Sequence, residues 1–296
     1  MKRIEIRHVT RYGFSAQVRL GPHTLLLRPR EGHDVRIAAS SLRIEPTAVL
    51  TWQRDYYENV RATAMFGGAT TSELLVESWL EVELYETMPL NFVVEPHALY
   101  IPFEYSAEES IALRPFLETV YADHPALDAW LAPYRAAGRR SETYAVLDRL
   151  NQHINRELQY EVREQPGVLA PSELLRSGRG SCRDMAALFV ESCRRLGVAA
   201  RFVSGYAHGP GTERGGASSH AWAEVYLPGA GWKGFDPTAA SIVGPDHITV
   251  AVHRHPEAVP PVAGSFTGPQ GGIPTLEVDV QILQLADDAP SPGTQV

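Results

Sequence analysis

The chain holds two cysteines, Cys182 and Cys193, in different settings. Cys182 stands in Gly178-Arg179-Gly180-Ser181-Cys182-Arg183-Asp184, followed by Met185-Ala186-Ala187-Leu188. Small residues lead into a thiol that the pattern places in the first turn of a helix. There, unpaired N–H groups and the positive dipole end favour a thiolate. Cys193 falls in the middle of the same helix and reads as a small core hydrophobe. At ~1.5 Å rise per residue the two are about 16 Å apart, against a disulfide limit of about 7 Å between Cα atoms. Both are expected to be free thiols, in keeping with a reducing compartment.

A thiol nucleophile needs a base. In Ser219-His220-Ala221-Trp222-Ala223-Glu224-Val225-Tyr226-Leu227, the odd-numbered positions after Ser219 form an apolar face, and His220, Trp222, Glu224 and Tyr226 form the other. The chain turns through Pro228-Gly229-Ala230-Gly231 and returns as Trp232-Lys233-Gly234-Phe235-Asp236-Pro237. Such a hairpin brings Asp236 back near the His220 end, where a carboxylate can hold the imidazole's tautomer. Thiol, imidazole and carboxylate thus occur in the order Cys182, His220, Asp236.

The elements that must position them fall into two groups. Residues 1–105 read as β: Leu74, Val76, Leu80, Val82 and Leu84 alternate with Glu77, Glu81 and Glu83, and shorter alternating runs cover Ile4–Thr10, Val18–Leu27, Val35–Ile44 and Asn59–Met65. An antiparallel sandwich or barrel is the packing expected of them. Residues 106–140 read as a helical connector, with helices over Glu108–Leu117 and Ala126–Ala137. A helix capped by Ser141 carries Leu147, Leu150, Ile154 and Leu158; a second opens near Ser181-Cys182 and stops at Gly197. Strands follow at Ala200–Ala207, Ser219–Leu227, Trp232–Asp236, Ile248–Val252 and Leu276–Leu285. The fold class expected is α+β: an N-terminal β domain over 1–105, a connector over 106–140, a core over 141–285 and a tail over 286–296. The Gly-rich 208–218 and the Pro- and Gly-rich 256–274 read as surface loops.

Composition narrows the function. The 296 residues are 44% hydrophobic, and Lys+Arg 27 against Asp+Glu 35 gives a net charge of −8 with no basic stripe. Nucleic acid and anionic membrane are therefore poor partners. No apolar run approaches the ~18–20 residues of a membrane span, and the N-terminus lacks a signal-peptide core, so a cytoplasmic location is expected. His247, His253 and His255 lack ligand spacing with a carboxylate cluster, and neither a metal site nor a cofactor is expected.

Four stretches together resemble the bacterial transglutaminase-like family: Gly180-Ser-Cys182-Arg-Asp184, Leu196-Gly-Val-Ala-Ala-Arg-Phe-Val-Ser-Gly-Tyr206, Ser219-His-Ala-Trp222 and Gly231-Trp-Lys-Gly-Phe-Asp-Pro-Thr238. Phe92-Val-Val-Glu-Pro-His97 and Pro102-Phe-Glu-Tyr105 resemble the junction after that family's N-terminal β domain, so the likeness spans nearly the whole chain. It implies a papain-like α+β core with Cys182 as nucleophile, His220 as general base and acid, and Asp236 as orienting carboxylate. It also implies acyl chemistry on a protein or peptide amide. Thiolate attack would give a thioester, resolved by a primary amine in transamidation or by water in deamidation or peptide hydrolysis. A peptide-binding or scaffold protein on the same fold is the reading from another class.

An oxyanion hole would take the Cys182 backbone N–H as one donor. Animal transglutaminases use an indole upstream of the cysteine, but no Trp occurs between Trp130 and Trp222. Tyr160 and Gln165 are candidates for the second donor, and Trp222 is a further cleft candidate. Two departures stand out: Cys182-Arg183-Asp184-Met185-Ala186-Ala187 replaces the relatives' Cys-Gln-Asp-Phe-Ala-His, and His253-Arg254-His255-Pro256 replaces their Gly-Arg-Asp-Tyr. Asp184 is expected to serve structure, pairing with Arg183 or Arg201 or capping a backbone group.

Overall fold

The structure, a computed structural model, describes residues 1–85, 88–121, 125–135, 140–163, 165–208, 219–269 and 274–285. The first sheet is built on one long strand. β1 (Lys2–Leu25) is followed by β2 (Val35–Glu45), β3 (Ala48–Arg54), β4 (Val60–Phe66) and β5 (Thr70–Leu84), in the spatial order β2-β5-β1-β4-β3. Ile4 lies opposite Val82 and Ile6 opposite Leu80, all four buried, so the alternating pattern sets the register. The runs expected separately at 4–10 and 18–27 are one strand, continuous through a register irregularity between Gly13 and Val18. β3 escaped sequence reading because nearly all of it is exposed, leaving no buried alternation to detect.

The connector contains β6 (Tyr100–Ile101), α1 (Ala107–Leu117), α2 (Pro125–Leu131) and β7 (Ser141–Glu142). Ser106 caps α1 together with Glu109. The helix expected over 126–137 gives way after Leu131 to a tight turn over 132–134 that contains Pro133, which cannot donate a helical hydrogen bond. α3 (Thr143–Glu157) is capped by the Glu142 carboxylate, which accepts from the amides of Tyr144 and Ala145, and not by Ser141, which pairs in β7.

In the core, β8 (Gln159–Tyr160), α4 (Pro171–Ser177) and β9 (Arg179–Gly180) lead into α5 (Cys182–Arg195). Gly197 just beyond it has φ +81, the left-handed geometry of a C′ residue. β10 (Ala200–Ala207), β11 (Ser219–Leu227), β12 (Gly231–Asp236), β13 (Ser241–Ile242) and β14 (His247–His253) form an antiparallel sheet ordered β13-β12-β11-β10-β14. α3 and α5 bury Leu147, Leu150, Ile154, Leu188 and Phe189 against Ala223, Val225 and Phe235. Both cysteines are free.

The chain then goes back. β15 (Val262–Thr267) and β16 (Thr275–Gln284) both pair antiparallel with β1, with Ile6 opposite Ile282 and His8 opposite Val280. The segment expected to finish the core sheet thus completes the N-terminal one, which is nearly closed and barrel-like, and part of the loop expected over 256–274 is strand. A shared interior joins the two sheets: Ile4, Ile6, Leu80 and Val82 pack with Ala186, Phe202, Tyr206, Ala221 and Ile248. Loop residues 209–218 and the tail 286–296 lie outside the described residues. Among the described residues no helix is long and apolar enough to cross a membrane.

Val280 is 1% exposed on β16. A carboxylate buried there without a partner costs about 3 kcal/mol or more, so Val280→Asp is expected to lower the thermal midpoint by at least about 5 °C. A midpoint within about 1 °C of wild type would show that β16 does not close this sheet.

Candidate active site

The turn that presents Cys182 is built by Asp184. Gly178 has φ +70 and ends α4, and β9 then runs parallel to β8, tied by Gln159 N–H to Gly178 O and Glu161 N–H to Gly180 O, each 2.9 Å. A Cβ at Gly180 would lie 2.6 Å from Leu174 Cδ1 and 3.1 Å from Asp184 Cβ, so glycine fits here without displacing the leucine or the aspartate. Asp184, fully buried, accepts from Ser181 N–H (2.8 Å) and Ser181 Oγ–H (2.7 Å) through Oδ2, and from Leu169 N–H (2.8 Å) and Arg163 Nη1 (2.7 Å) through Oδ1. Its charged partner is Arg163, and not Arg183 or Arg201. Arg183 instead donates to the carbonyls of Arg163 and Gln165, and Arg201 pairs with Glu224 at 2.6 Å. Cys182 follows as the first residue of α5, half-buried, and among the described residues nothing accepts from its backbone N–H.

His220 and Asp236 meet through strand register. Glu224 opposes Gly234 in β11 and β12, so residues an even number away, His220 and Asp236, share that face. His220 Nε2 lies 2.7 Å from Asp236 Oδ2, while Asp236 Oδ1 accepts from the amides of Thr238 (2.9 Å) and Ala239 (3.3 Å). A further imidazole completes the group: His247 Nε2 lies 3.2 Å from the same Oδ2.

These contacts set the charges. Burial alone would lower the proton affinity of His220, but hydrogen bonds with Asp236 and Cys182, reinforced by their charges, raise its pKa to about 10. Burial would likewise push the Asp236 carboxyl up, yet hydrogen bonds from His220 and His247 hold it well below the usual carboxylate range. With Nε2 engaged by Asp236, the other nitrogen of His220 is the one left for Cys182. Burial pushes the Cys193 thiol far up, and no part of it is exposed.

The three further candidates fare differently. Tyr160 pairs with Gly180 across β8 and β9, two residues before the thiol, and is 45% exposed. Its phenol pKa is raised by burial, then by the charges of Cys182 and Asp236 against Arg183, which keeps it a hydroxyl donor at neutral pH. Gln165 is exposed, and its backbone carbonyl accepts from Arg183; no side-chain hydrogen bond of Gln165 occurs among the described residues. Trp222 does not line an open cleft. It is fully buried against Val203, Val252, Tyr57 and Val243, with its ring edge-on to His247 at 5.2 Å. Alternation placed it on His220's face correctly, but segments remote in sequence cover that part of the face.

The sequence pattern raises His247 only as a metal ligand, with His253 and His255, and does not reach Arg163. The partners of His247 and Arg163 lie 11 and 21 positions away, and no local pattern links them. His220, Asp236 and His247 offer donor atoms within 4.8 Å of one another, a set that could hold a metal ion. Here both nitrogens sit at hydrogen-bond distances from a single oxygen, Asp236 Oδ2.

A half-buried thiol at a helix start thus lies beside an imidazole hydrogen-bonded to a buried carboxylate on an antiparallel sheet. The chain belongs to the transglutaminase-like superfamily: residues 132–237 match its core, and residues 4–83 match the bacterial transglutaminase-like N-terminal region. The fold is similar to a crystal structure of a candidate cysteine protease from Cytophaga hutchinsonii, with a TM-score of 0.70 and 16% identity over 99% of this chain and 94% of that one. An uncharacterised protein of Mycobacterium leprae is 34% identical over 118 residues, 38% of this chain and 41% of that protein. Human kyphoscoliosis peptidase is 33% identical over 93 residues, 30% of this chain and 14% of its own length. The chain thus aligns with about two fifths or less of each of these two relatives.

Two outcomes are expected from this geometry. Removing one partner of a buried pair costs about 3–5 kcal/mol, so Asp184→Ala, which strands Arg163 and frees the turn before Cys182, is expected to lower unfolding stability by about that amount in urea titrations. His220 holds its proton more tightly folded than unfolded. Its contribution to stability is therefore complete below about pH 6.5 and is lost as pH rises through about 10. Between neutrality and that upper limit, wild-type thermal stability should fall relative to His220→Gln; a constant difference between them would contradict the raised affinity.

Proposed function

We propose that the protein catalyses thiol-dependent acyl transfer on a carboxamide of a protein or peptide. The observation that carries the reading is the juxtaposition of Cys182 at the start of α5 with the 2.7 Å His220–Asp236 pair. In this reading the free nitrogen of His220 takes the thiol proton, and the sulfur attacks the amide carbon. The oxyanion is received by the Cys182 N–H and the Tyr160 hydroxyl. Collapse forms the C–S bond of a thioester and breaks the C–N bond, and the imidazolium gives its proton to the leaving nitrogen. A primary amine then attacks the thioester carbon, the new C–N bond forms as the C–S bond breaks, and the amine's proton passes through His220 to the departing sulfur. Asp236 keeps His220 oriented and balances its charge without taking the proton. Two unpaired thiols suit this chemistry to a reducing, cytoplasmic setting.

Hydrolysis is the second reading, with water in place of the amine. The half exposure of Tyr160 beside the thiol leaves water a route to the thioester, and peptidase is the name carried by a relative of the core.

At about pH 6, iodoacetamide is expected to alkylate Cys182 while Cys193 stays unlabelled, because an imidazole-paired thiolate persists below the pKa of a free thiol. Equal, slow labelling of both would overturn the proposal. With a peptide library and a labelled primary amine, mass spectrometry should find time-dependent incorporation, lost in Cys182→Ala and reduced about 10³-fold or more in His220→Gln. Cleavage without incorporation would favour the hydrolytic reading, and neither product would favour a binding protein.

A further inference from the structure

Asp236 presents one oxygen to two imidazoles. Its Oδ1 is fixed by the amides of Thr238 and Ala239, and its Oδ2 lies between His220 Nε2 at 2.7 Å and His247 Nε2 at 3.2 Å. His247 is itself held. Its Nδ1 accepts from Gly244 N–H at 3.5 Å, Trp222 packs edge-on against its ring, and its side chain is 10% exposed. A ring whose Nδ1 accepts from an amide carries its proton on Nε2, the atom aimed at Asp236. The His247 and His220 ring centres are 6.3 Å apart, and the hydrogen bonds of His247 among the described residues are with Asp236 and Gly244.

We propose that His247 is a positioning residue: by donating Nε2–H to Asp236 Oδ2 it locks the carboxylate in the orientation that holds His220 toward Cys182. The geometry gives the reason. With only the two amides on Oδ1 and the single bond from His220, the carboxylate can rotate about its own axis and carry the His220 bond with it. A second donor on Oδ2 opposes that rotation and satisfies the oxygen's remaining lone pair inside a buried site. Arg201, which shares this face of the sheet, does not substitute for His247, because it is taken up by Glu224. The inference rests on the reading of Cys182, His220 and Asp236 as the reacting group.

Two variants separate positioning from bulk structure. Glutamine places its amide N–H where Nε2 stood; asparagine carries the same amide one carbon short, near the position of Nδ1. The measurement is the rate of iodoacetamide labelling of Cys182 at about pH 6, with Cys193 as internal reference and thermal midpoints recorded in parallel. His247→Asn is expected to slow labelling about tenfold, and His247→Gln to recover it to within about threefold of wild type. Equal rates in both variants, whether slowed or unchanged, overturn the inference. A wild type that labels Cys182 no faster than Cys193 overturns the underlying reading first, before any variant is compared. A second measurement needs no substitution: NMR of the protein labelled with nitrogen isotope in histidine should find the His247 proton on Nε2. A proton on Nδ1 alone, leaving Nε2 nothing to donate, overturns the proposal even if the asparagine variant fails to fold.

Discussion

A buried carboxylate must be surrounded by donors, and Asp236 imposes that demand on the whole core. It is 1% exposed and keeps its charge because four N–H groups converge on it. Two come from the turn that follows β12, one from the start of β11 and one from the start of β14. Leaving such an ion unpartnered costs several kcal/mol, enough to offset much of a domain's net stability. Strand order, the even register between β11 and β12, and the return of the chain through 243–247 are therefore coupled to one charge. Gly205 belongs to the same constraint. A side chain there would lie 2.6 Å from the Trp222 ring and 2.2 Å from the Ile248 carbonyl, so its absence lets the indole lie over β10 and buttress His247.

The N-terminal sheet contributes to the site by holding the helix that carries the thiol. Cys182 and Ala186, one turn apart on α5, pack on the cluster that Ile4, Ile6, Leu80 and Val82 supply from the first sheet. A buried polar seam runs alongside: His8 Nδ1 lies 2.9 Å from Tyr206 Oη and Nε2 lies 3.1 Å from Thr10 Oγ1. Burial lowers the His8 pKa to about 4, against a smaller opposing effect from Asp279, so this imidazole is neutral and makes its bonds without a charge to compensate. The return of β15 and β16 onto β1 ties the C-terminal part of the chain to the same wall. The two sheets therefore share one interior around the start of α5.

What could be read from sequence was local and one-sided. The bounds of β10 and β11 are legible because β10 is a short run buried at all but one position and β11 alternates buried and less buried residues toward its end, and the start of α5 because small residues lead into Ser181-Cys182. The helix-start cysteine, the strand histidine and the aspartate at the hairpin's end followed from those elements. Nothing local connects His247 to Asp236, Arg163 to Asp184 or β16 to β1, since these contacts depend on sheet order and on loops that cross between sheets. Arg183 and Arg201 were the expected partners of Asp184. Arg201 instead lies over the Trp232 ring at 4.0 Å and pairs with Glu224 on the neighbouring strand.

The departures around the nucleophile have physical consequences in this fold. At the position where relatives carry glutamine, Arg183 spans to the carbonyls of Arg163 and Gln165, while the next residue, Asp184, holds the Arg163 guanidinium and the Leu169 amide. Two consecutive residues of α5 thus grip one loop, the first by its acceptors and the second by its donors. An arginine does this where a shorter amide has less reach and no charge. Ala187, where relatives carry histidine, is 2% exposed, and an imidazole there would need a partner of its own in a fully packed helix face. The substitutions therefore alter how the rim of the thiol is anchored while leaving the sulfur, the imidazole and the carboxylate in place. The gripped loop follows directly from Tyr160, whose strand pairs with the one that leads into Cys182, so Arg183 and Arg163 anchor the chain on one side of the thiol.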